Sequence, residues 1–267
     1  MKKFFVISVV VACIVLAGCK DNDDGVGVTV TMAKPWGAML NPHVDVVKAV
    51  GNDRTLTESK YDGGFTLKLP ASVSNSLLTP KWDPMYLLSL KYHGMTVTGD
   101  NVRELDVDFE AYKSGNYVGD FRCMKFEDPI EIEREDYYHA SLTIFFASYV
   151  YVDGNVTGNG KVSDEWVEQD EELEEDINFH FELEYKFSMN KGWNKLYITL
   201  TSSFTIEDDI FTETLSILET TTDPGGLRWD LFDLEQQTNA RLLNSRLLKT
   251  KSSFVPKKLI EAIQTSH

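Results

Sequence analysis

The chain has 267 residues, of which 26 are basic and 42 are acidic, and its formal net charge is −16. Because nucleic-acid binding depends on neutralising phosphates, this charge balance argues against a nucleic-acid partner. Hydrophobic residues make up 42% of the chain, and the length is sufficient for one or two domains with their own cores.

The first 18 residues have the plan of a secretory signal. Lys2 and Lys3 precede an apolar run that is too short and too close to the start for an ordinary membrane span. The run ends in the letters LAGC, whose last residue is Cys19. This ending resembles the lipobox of bacterial lipoproteins. The resemblance implies that residues 1–18 are a cleaved signal peptide and that Cys19 is lipidated; an uncleaved helix containing a cysteine is the alternative.

Several acyl chains on one residue would give stable membrane binding, because each buried methylene contributes about 0.8 kcal/mol. The letters KDNDDG follow at residues 20–25. They are similar to the tag of Bacteroidetes lipoproteins that face the outside of the outer membrane, and they are also typical of a solvated linker. We therefore expect residues 19–26 to be an acidic tether on a protein that is anchored in the outer membrane and faces the exterior.

Removal of residues 1–18 takes away two basic side chains and no acidic one, so the mature chain has a net charge of −18. An anionic bilayer repels such a body, and the expected membrane contact is therefore the lipid anchor. Cys13 leaves with the signal and Cys19 is lipidated, so no internal disulfide is expected. The remaining cysteine, Cys123, is predicted to be a buried free thiol.

Alternating apolar and polar residues predict an N-terminal β-sandwich over residues 27–128. In GFTLKLP, Phe65, Leu67 and Leu69 share one face of a strand. The stretch RELDVDFEAY, residues 103–112, repeats this pattern. Its inward residues are Leu105, Val107, Phe109 and Ala111, and its outward residues, expected to face water, are Glu104, Asp106, Asp108 and Glu110. A short helix is predicted at PMYLLSLKY, starting at Pro84.

Residues 129–232 are predicted to form a C-terminal antiparallel β module. NFHFELEYKFS, residues 178–188, alternates like a half-buried strand, and its His180 is expected on the polar face. SLTIFFASYVYV, residues 141–152, is apolar on both faces, which predicts a central strand covered on both sides. The stretches YDGG, DGNVTGNG and MNKGWN supply glycine and asparagine for turns.

A basic helical tail is predicted over residues 233–267. TNARLLNSRLL and PKKLIEAIQ have apolar residues at spacings of three and four. This tail could contact anionic lipid headgroups or a partner, or it could pack onto the acidic body of the same chain. The predicted fold class is therefore all-β, with one or two antiparallel β-sandwich modules and short C-terminal helices.

Two stretches resemble known families. Residues 44–70, VDVVKAVGNDRTLTESKYDGGFTLKLP, look like the carboxypeptidase regulatory-like or prealbumin-like β-sandwich. The stretches YVYVDGNVTGNG, KGWNKLYITL and TTTDPGGLRW are similar to the back half of many Bacteroidetes lipoproteins. Neither resemblance implies a catalytic residue.

No hydrolytic, metal-binding or dinucleotide-binding motif is present in the sequence. A partial EF-hand pattern places Asp153, Asn155, Thr157 and Asp164 at ligand positions, but Lys161 occupies a position that should be neutral or acidic. Calcium is therefore not expected, and no cofactor besides the lipid on Cys19 is predicted. The acidic run at residues 163–176 is interpreted as a solvated, mobile loop.

Aromatic residues are the remaining candidates for a site, because sugar rings stack on exposed tryptophan and tyrosine. The candidates are Trp36, Trp82, Trp166, Tyr137 and Tyr138, and packing in a core is the alternative for each. Trp193 and Trp229 are expected in the core.

These observations favour a lipid-anchored outer-membrane surface protein that is a non-catalytic binding or structural component of the cell envelope. Its partner would be a glycan or an envelope protein. The alternatives are a glycan-binding lipoprotein of a polysaccharide uptake system and an acid-dependent hydrolase. A glycan binder should have a row of exposed aromatic rings, whereas a hydrolase should have a cleft with converging carboxylates. A structural component would have neither feature, but an unpaired strand edge or a groove for a donor strand.

Overall fold

The structure, a computed structural model, describes residues 27–32, 44–134, 137–170, 175–207 and 210–233. These residues form an all-β, sandwich-like fold with one α-helix, which confirms the predicted fold class in its main feature. The predicted signal and tether with Cys19, the candidate Trp36 and the predicted tail beyond Asp233 lie outside the described residues. The elements are β1 (Thr29–Met32), β2 (Val46–Gly51), β3 (Arg54–Lys60), β4 (Phe65–Lys68), β5 (Thr79–Pro80), α1 (Pro84–Tyr92), β6 (Thr96–Val97), β7 (Arg103–Lys113), β8 (Asn116–Phe126), β9 (Ile130–Arg134), β10 (Tyr137–Val152), β11 (Val156–Asp170), β12 (Glu175–Met189), β13 (Gly192–Glu207), β14 (Ile210–Thr220) and β15 (Arg228–Asp233).

Strands β1 and β4 pair with each other, and the other thirteen strands form one large sheet. The sheet is mixed, because β12 and β14 run parallel while its other pairs are antiparallel. The prediction of a purely antiparallel module is therefore wrong at this pair. The reason is topological: β14 folds back against β13 and lies between β13 and β12, so it runs in the direction of β12.

Strand β10 is the spine of the large sheet. One edge pairs with β13 over all of Tyr137–Val152. The other edge pairs in turn with β9, β8 and β7. Strand β15 also pairs with β8. The predicted boundary between residues 128 and 129 therefore falls between strands of one continuous sheet.

Strands β1 and β4 cover one face of this sheet. Their inward side chains pack against β2, β7, β8 and β15. The cluster contains Val30, Met32, Phe65, Leu67, Leu69, Val47, Ala49, Val107, Phe109, Ala111, Phe121 and Leu231. The predicted alternation of residues 64–70 and 103–112 is thereby confirmed for the apolar residues. Trp193 and Trp229 pack against this cluster, in agreement with their expected place in the core.

Helix α1 and its flanks cover the opposite face. Trp82, Leu90 and Met95 pack onto side chains of β10, β12 and β13. The helix begins where predicted, because Asp83 accepts hydrogen bonds from the backbone N–H groups of Met85 (2.8 Å) and Tyr86 (3.2 Å). It is followed by Gly94, whose φ of +83° suits a residue without a Cβ.

The far part of the sheet extends beyond both covers. Here β9, β10, β13, β14, β12 and β11 lie side by side, and their side chains alternate between an apolar and a polar face. The apolar side chains form their own cluster, which we name the open apolar face: Ile144, Leu200, Met124, Leu142, Phe146, Leu215 and Ile217. The polar face carries Thr143, Thr201, His180 and Glu182 among others.

Two sequence predictions are wrong in this far part. Strand β10 is central in the sheet, as predicted, but the predicted cover on both sides is found near its end, where Tyr149 and Val150 contact opposite clusters, and most of its earlier residues are half-buried. The acidic run at 163–176 is not a loop over its described residues, because 163–170 belong to β11 and residues 175 and 176 to β12. Pairing with β12 over Val156–Asp170 supplies the backbone hydrogen bonds that favour the strand.

Candidate functional site

A cluster of buried charged side chains lies between α1 and the sheet. The ammonium of Lys81 lies 2.9 Å from Oε2 of Glu104, and 11% and 15% of the two side chains remain exposed. Glu219 on β14 and Asp106 on β7 act on the same lysine electrostatically. The prediction that Glu104 faces water is wrong, because its side chain is largely withdrawn from water and paired with Lys81.

The burial of this cluster changes the protonation of its members. Burial raises the pKa of Glu104 to about 7, although Lys81 opposes the shift. Burial also raises the pKa of Glu219, again against the effect of Lys81. Burial by itself would lower the pKa of Lys81, but Glu104 and Glu219 together hold it above its usual value. One cation therefore serves two carboxyl groups that are withdrawn from water, Glu104 and Glu219.

Aromatic rings surround the lysine and connect the helix to the sheet. Lys81 Nζ lies 5.6 Å from the ring centre of Trp82 and 5.5 Å from that of Phe187. The hydroxyl groups of Tyr86 on α1 and Tyr185 on β12 are 2.9 Å apart and share a hydrogen bond. Burial raises the pKa of both tyrosines. The cluster and these rings together hold α1 on the sheet.

Converging carboxyl groups are the feature expected of an acid-dependent hydrolase, but catalysis also needs access for a substrate. Here only 15% of the Glu104 side chain is exposed, and burial raises the pKa of both Glu104 and Glu219. A depression of about 530 Å³ lies elsewhere, and it is lined by Met32 and residues between Ser59 and Thr66 around the turn from β3 to β4. The buried cluster is therefore best described as a polar clamp between helix and sheet.

The outward side of α1 carries large apolar side chains. Met85, Leu88 and Tyr92 are 81%, 69% and 88% exposed. Their spacing of three and four residues places them along one side of the helix. The only charged residue of the helix, Lys91, is paired with Asp100 at 2.9 Å. We name Met85, Leu88 and Tyr92 the helix stripe.

The described aromatic candidates for glycan binding are not brought together. Trp82 is 3% exposed and lies in the core, where it packs with Leu87 and Leu90 of α1. The prediction that its ring is available at the surface for a sugar is therefore wrong. Tyr137 and Tyr138 are neighbours on β10 and point to opposite faces. Trp166 is 39% exposed and stacks on Phe179 at 5.5 Å. It lies on β11, four strands from Tyr138 on β10, which is roughly 19 Å at the usual strand spacing.

The residues of the partial EF-hand pattern are also separate. Asp153 accepts hydrogen bonds from the backbone N–H and the guanidinium of Arg103, both at 2.8 Å. Thr157 and Asp164 lie seven residues apart on β11, or roughly 23 Å along an extended strand. Among the residues that the structure describes, no group of three or more His, Cys, Asp or Glu side chains has the geometry to hold a metal ion.

Two further expectations concern single side chains. His180 lies on the polar face as predicted, where its ring nitrogens contact Glu165 (2.9 Å) and Glu182 (3.2 Å). Cys123 is a buried free thiol as predicted, and burial raises its pKa. No helix in the described part of the chain has the length and apolar character needed to cross a bilayer.

Sequence reasoning missed Lys81 and Glu219. A signal was present for Glu219, because it stands two residues after Ile217 and four after Leu215, on the apolar face of a strand. Lys81 gave no such signal, since it lies in the irregular stretch before α1. Comparisons of this chain with family models, with curated proteins and with solved structures found no match.

Proposed function

We propose that this protein is a lipid-anchored surface protein of the outer membrane and a non-catalytic binding component of the cell envelope. The anchor would be Cys19, at the end of the signal-like residues 1–18. The observation that carries the binding role is the helix stripe, because large apolar side chains are usually withdrawn from water unless a partner covers them.

The structure of α1 supports a docking role. Its inner side is already used, since Leu87 and Leu90 pack into the core beneath it. Its outer side is equally apolar, and a helix that is apolar all round is normally buried on all sides. The rigid attachment of α1 through the Lys81 clamp and the Tyr86–Tyr185 hydrogen bond keeps the stripe in place.

The partner that fits this stripe is an envelope protein with an apolar patch. The stripe has no charged side chain of its own, so it offers apolar contact and little electrostatic attraction. Methionine and tyrosine are also enriched where proteins contact other proteins. A glycan would instead need stacking rings with nearby polar groups, and Tyr92 is the one ring of the stripe.

The anchor is tested by Cys19→Ala in the full chain in a diderm bacterial host. We expect the variant to move from the membrane fraction to the soluble fraction and to lose incorporation of labelled fatty acid. The matched control is Cys13→Ala. It changes a cysteine that would be cleaved off with the signal peptide, and it should leave both readouts unchanged. Membrane retention of the Cys19 variant would contradict the proposed anchor.

The binding role is tested with a photo-crosslinking amino acid at position 88 in intact cells. We expect a discrete adduct with an envelope protein, and we expect Met85→Ser together with Tyr92→Ser to abolish it. The control places the same crosslinker at Val167, another exposed apolar residue, 60% exposed on β11. An adduct that survives the two serine substitutions, or the absence of an adduct, would contradict the role of the stripe.

A further inference from the structure

No described element outside the large sheet packs on the open apolar face, although Ile144, Leu200 and Glu213 on this side of the sheet are 8%, 6% and 6% exposed. Every member of its cluster belongs to the large sheet, on β8, β10, β13 or β14, and none comes from β1, β4 or α1. A strand that alternates apolar and polar residues normally buries its apolar side. The sequence pattern of this end of the sheet therefore requires a covering element.

The two edge strands beside this face carry acidic groups. Glu131 and Glu133 on β9 lie opposite Ala140 and Tyr138 of β10, so they project to the apolar side of the sheet. Asp164 on β11 lies opposite Phe181 and projects to the same side. All three carboxylates are exposed. An apolar floor between two acidic rims suits an element that is apolar on one side and basic on the other.

Three long stretches of the chain lie outside the described residues, and two of them fit poorly. Residues 1–26 end in an acidic stretch, which the acidic rims would repel. Residues 33–43 are held at both ends, by Met32 and Val44, in the cluster beneath β1 and β4 at the other end of the molecule. The C-terminal stretch, residues 234–267, follows β15, which pairs with β8 of the large sheet.

The C-terminal stretch has the required composition. Six basic residues, namely Arg241, Arg246, Lys249, Lys251, Lys257 and Lys258, outnumber Glu235 and Glu261. Over Pro256–Gln264, helical spacing would place Leu259, Ile260 and Ile263 on one side and the two lysines on the other.

The C-terminal stretch also begins close enough to the open apolar face to reach it. Strand β15 ends at Asp233 opposite Gly119, and Met124 of the open apolar face is five residues further along β8, roughly 17 Å away. The 22 residues between Asp233 and Pro256 would span up to roughly 70 Å when extended, so the chain length allows the contact. We infer that residues 234–267 bind back onto the open apolar face of their own chain, with Leu259, Ile260 and Ile263 on the apolar floor and the lysines at the acidic rims.

This inference concerns a different surface from the helix stripe, and it holds whether or not the stripe has a partner. It is tested by carbodiimide crosslinking of the full mature chain, followed by mass spectrometry of the monomer band. We expect links from Lys257 or Lys258 to Glu131, Glu133 or Asp164 within one chain. A mixture of isotopically light and heavy protein separates these links from links between two copies. Links between copies alone, links to other parts of the chain alone, or no links would overturn the inference.

A matched pair of variants separates apolar docking from charge attraction. Ile260→Asp places a carboxylate on the proposed apolar side, and we expect the yield of these links to fall about ten-fold or more and the fluorescence of an apolar dye to rise. Thr265→Asp adds the same charge on the opposite side and should leave the dye signal and the links close to wild type. Equal effects of the two substitutions would overturn the proposed orientation.

Discussion

The large sheet has one end that is covered on both faces and one end on whose apolar face no described element outside the sheet packs, although the same strands run through both. At the covered end, Tyr149 and Val150 of β10 contact clusters on opposite faces. At the open end, Leu142 and Phe146 of the same strand are half-buried and contact other residues of the sheet. Alternation within a strand therefore sets which side is apolar, but the elements packed above it determine how much each apolar side chain stabilises the fold.

The largest expected effect comes from replacing one phenylalanine at each end of the sheet. Phe187 is buried beneath α1, whereas Phe146 is half-buried on the open apolar face. We expect Phe187→Ala to lower the free energy of unfolding by about 3–5 kcal/mol and Phe146→Ala by about 1–3 kcal/mol, as measured by urea denaturation. If residues 234–267 cover the open face, removing them should reduce the loss caused by Phe146→Ala and leave that of Phe187→Ala unchanged. Equal losses in the two full-length variants would contradict the difference in cover.

The second test applies one substitution to a lysine from each region. Lys81→Met leaves Glu104 and Glu219 buried without their cation, and we expect a loss of about 3–5 kcal/mol at pH 8. Lys161→Met removes an ion pair on the polar face, in which Lys161 Nζ lies 2.6 Å from Oε1 of Glu182 and the lysine side chain is half-exposed. We expect this substitution to lower the free energy of unfolding by about 1 kcal/mol or less. The Lys81→Met loss should shrink at pH 5, where Glu104 is protonated. An equal loss at both pH values would contradict the clamp.

The third test follows stability against pH. The pKa of Glu104 is raised from 4.5 to about 7 on folding, so between these pH values the folded chain holds more protons than the unfolded chain. The contribution of Glu104 to the free energy of unfolding is therefore fully present below about pH 4.5. It is lost as the pH rises through 7, and the loss amounts to up to roughly 3 kcal/mol. Glu104→Gln should flatten the profile in this window.

Glu182 at the open end provides a control of opposite sign. Hydrogen bonds from Lys161 and His180 lower the pKa of Glu182, so its contribution is present above its unfolded pKa and is lost as the pH falls. Glu182→Gln should therefore change the profile on the acid side and leave the window up to pH 7 in place. If Glu104→Gln keeps the wild-type profile, the buried carboxyl group is not its cause.

The smallest expected effect concerns the start of α1. Asp83→Ala removes the acceptor for the N–H groups of Met85 and Tyr86, and we expect a loss of about 1 kcal/mol in thermal or urea unfolding. Asp128→Ala, which changes an exposed carboxylate between β8 and β9, is the matched control and should have little effect. A loss near zero for Asp83→Ala would show that packing alone places the helix.

Local alternation predicted much of the fold and little of the candidate site. The inward faces at Leu105–Ala111 and Phe65–Leu69 and the helix at Pro84–Tyr92 were predicted correctly, because each depends on residues close in sequence. The parallel pairing of β12 with β14 was not predicted, because it depends on strands that are distant in sequence. The strand within the acidic run was not predicted either, because its pairing with β12 outweighs its acidic composition. The grouping of Lys81, Glu104 and Glu219 joins three distant parts of the chain, and no local pattern indicates it.

Residue type and short-range spacing alone set which side of each strand is apolar and where α1 begins. The anchor at Cys19 stays a prediction from the same source. Packing between distant parts of the chain buries Trp82, withdraws Glu104 from water and leaves Met85, Leu88 and Tyr92 exposed. The physical reason is that burial is a property of the element packed on top, and residues 70–102 cross one face of a sheet whose strands come mostly from later in the chain.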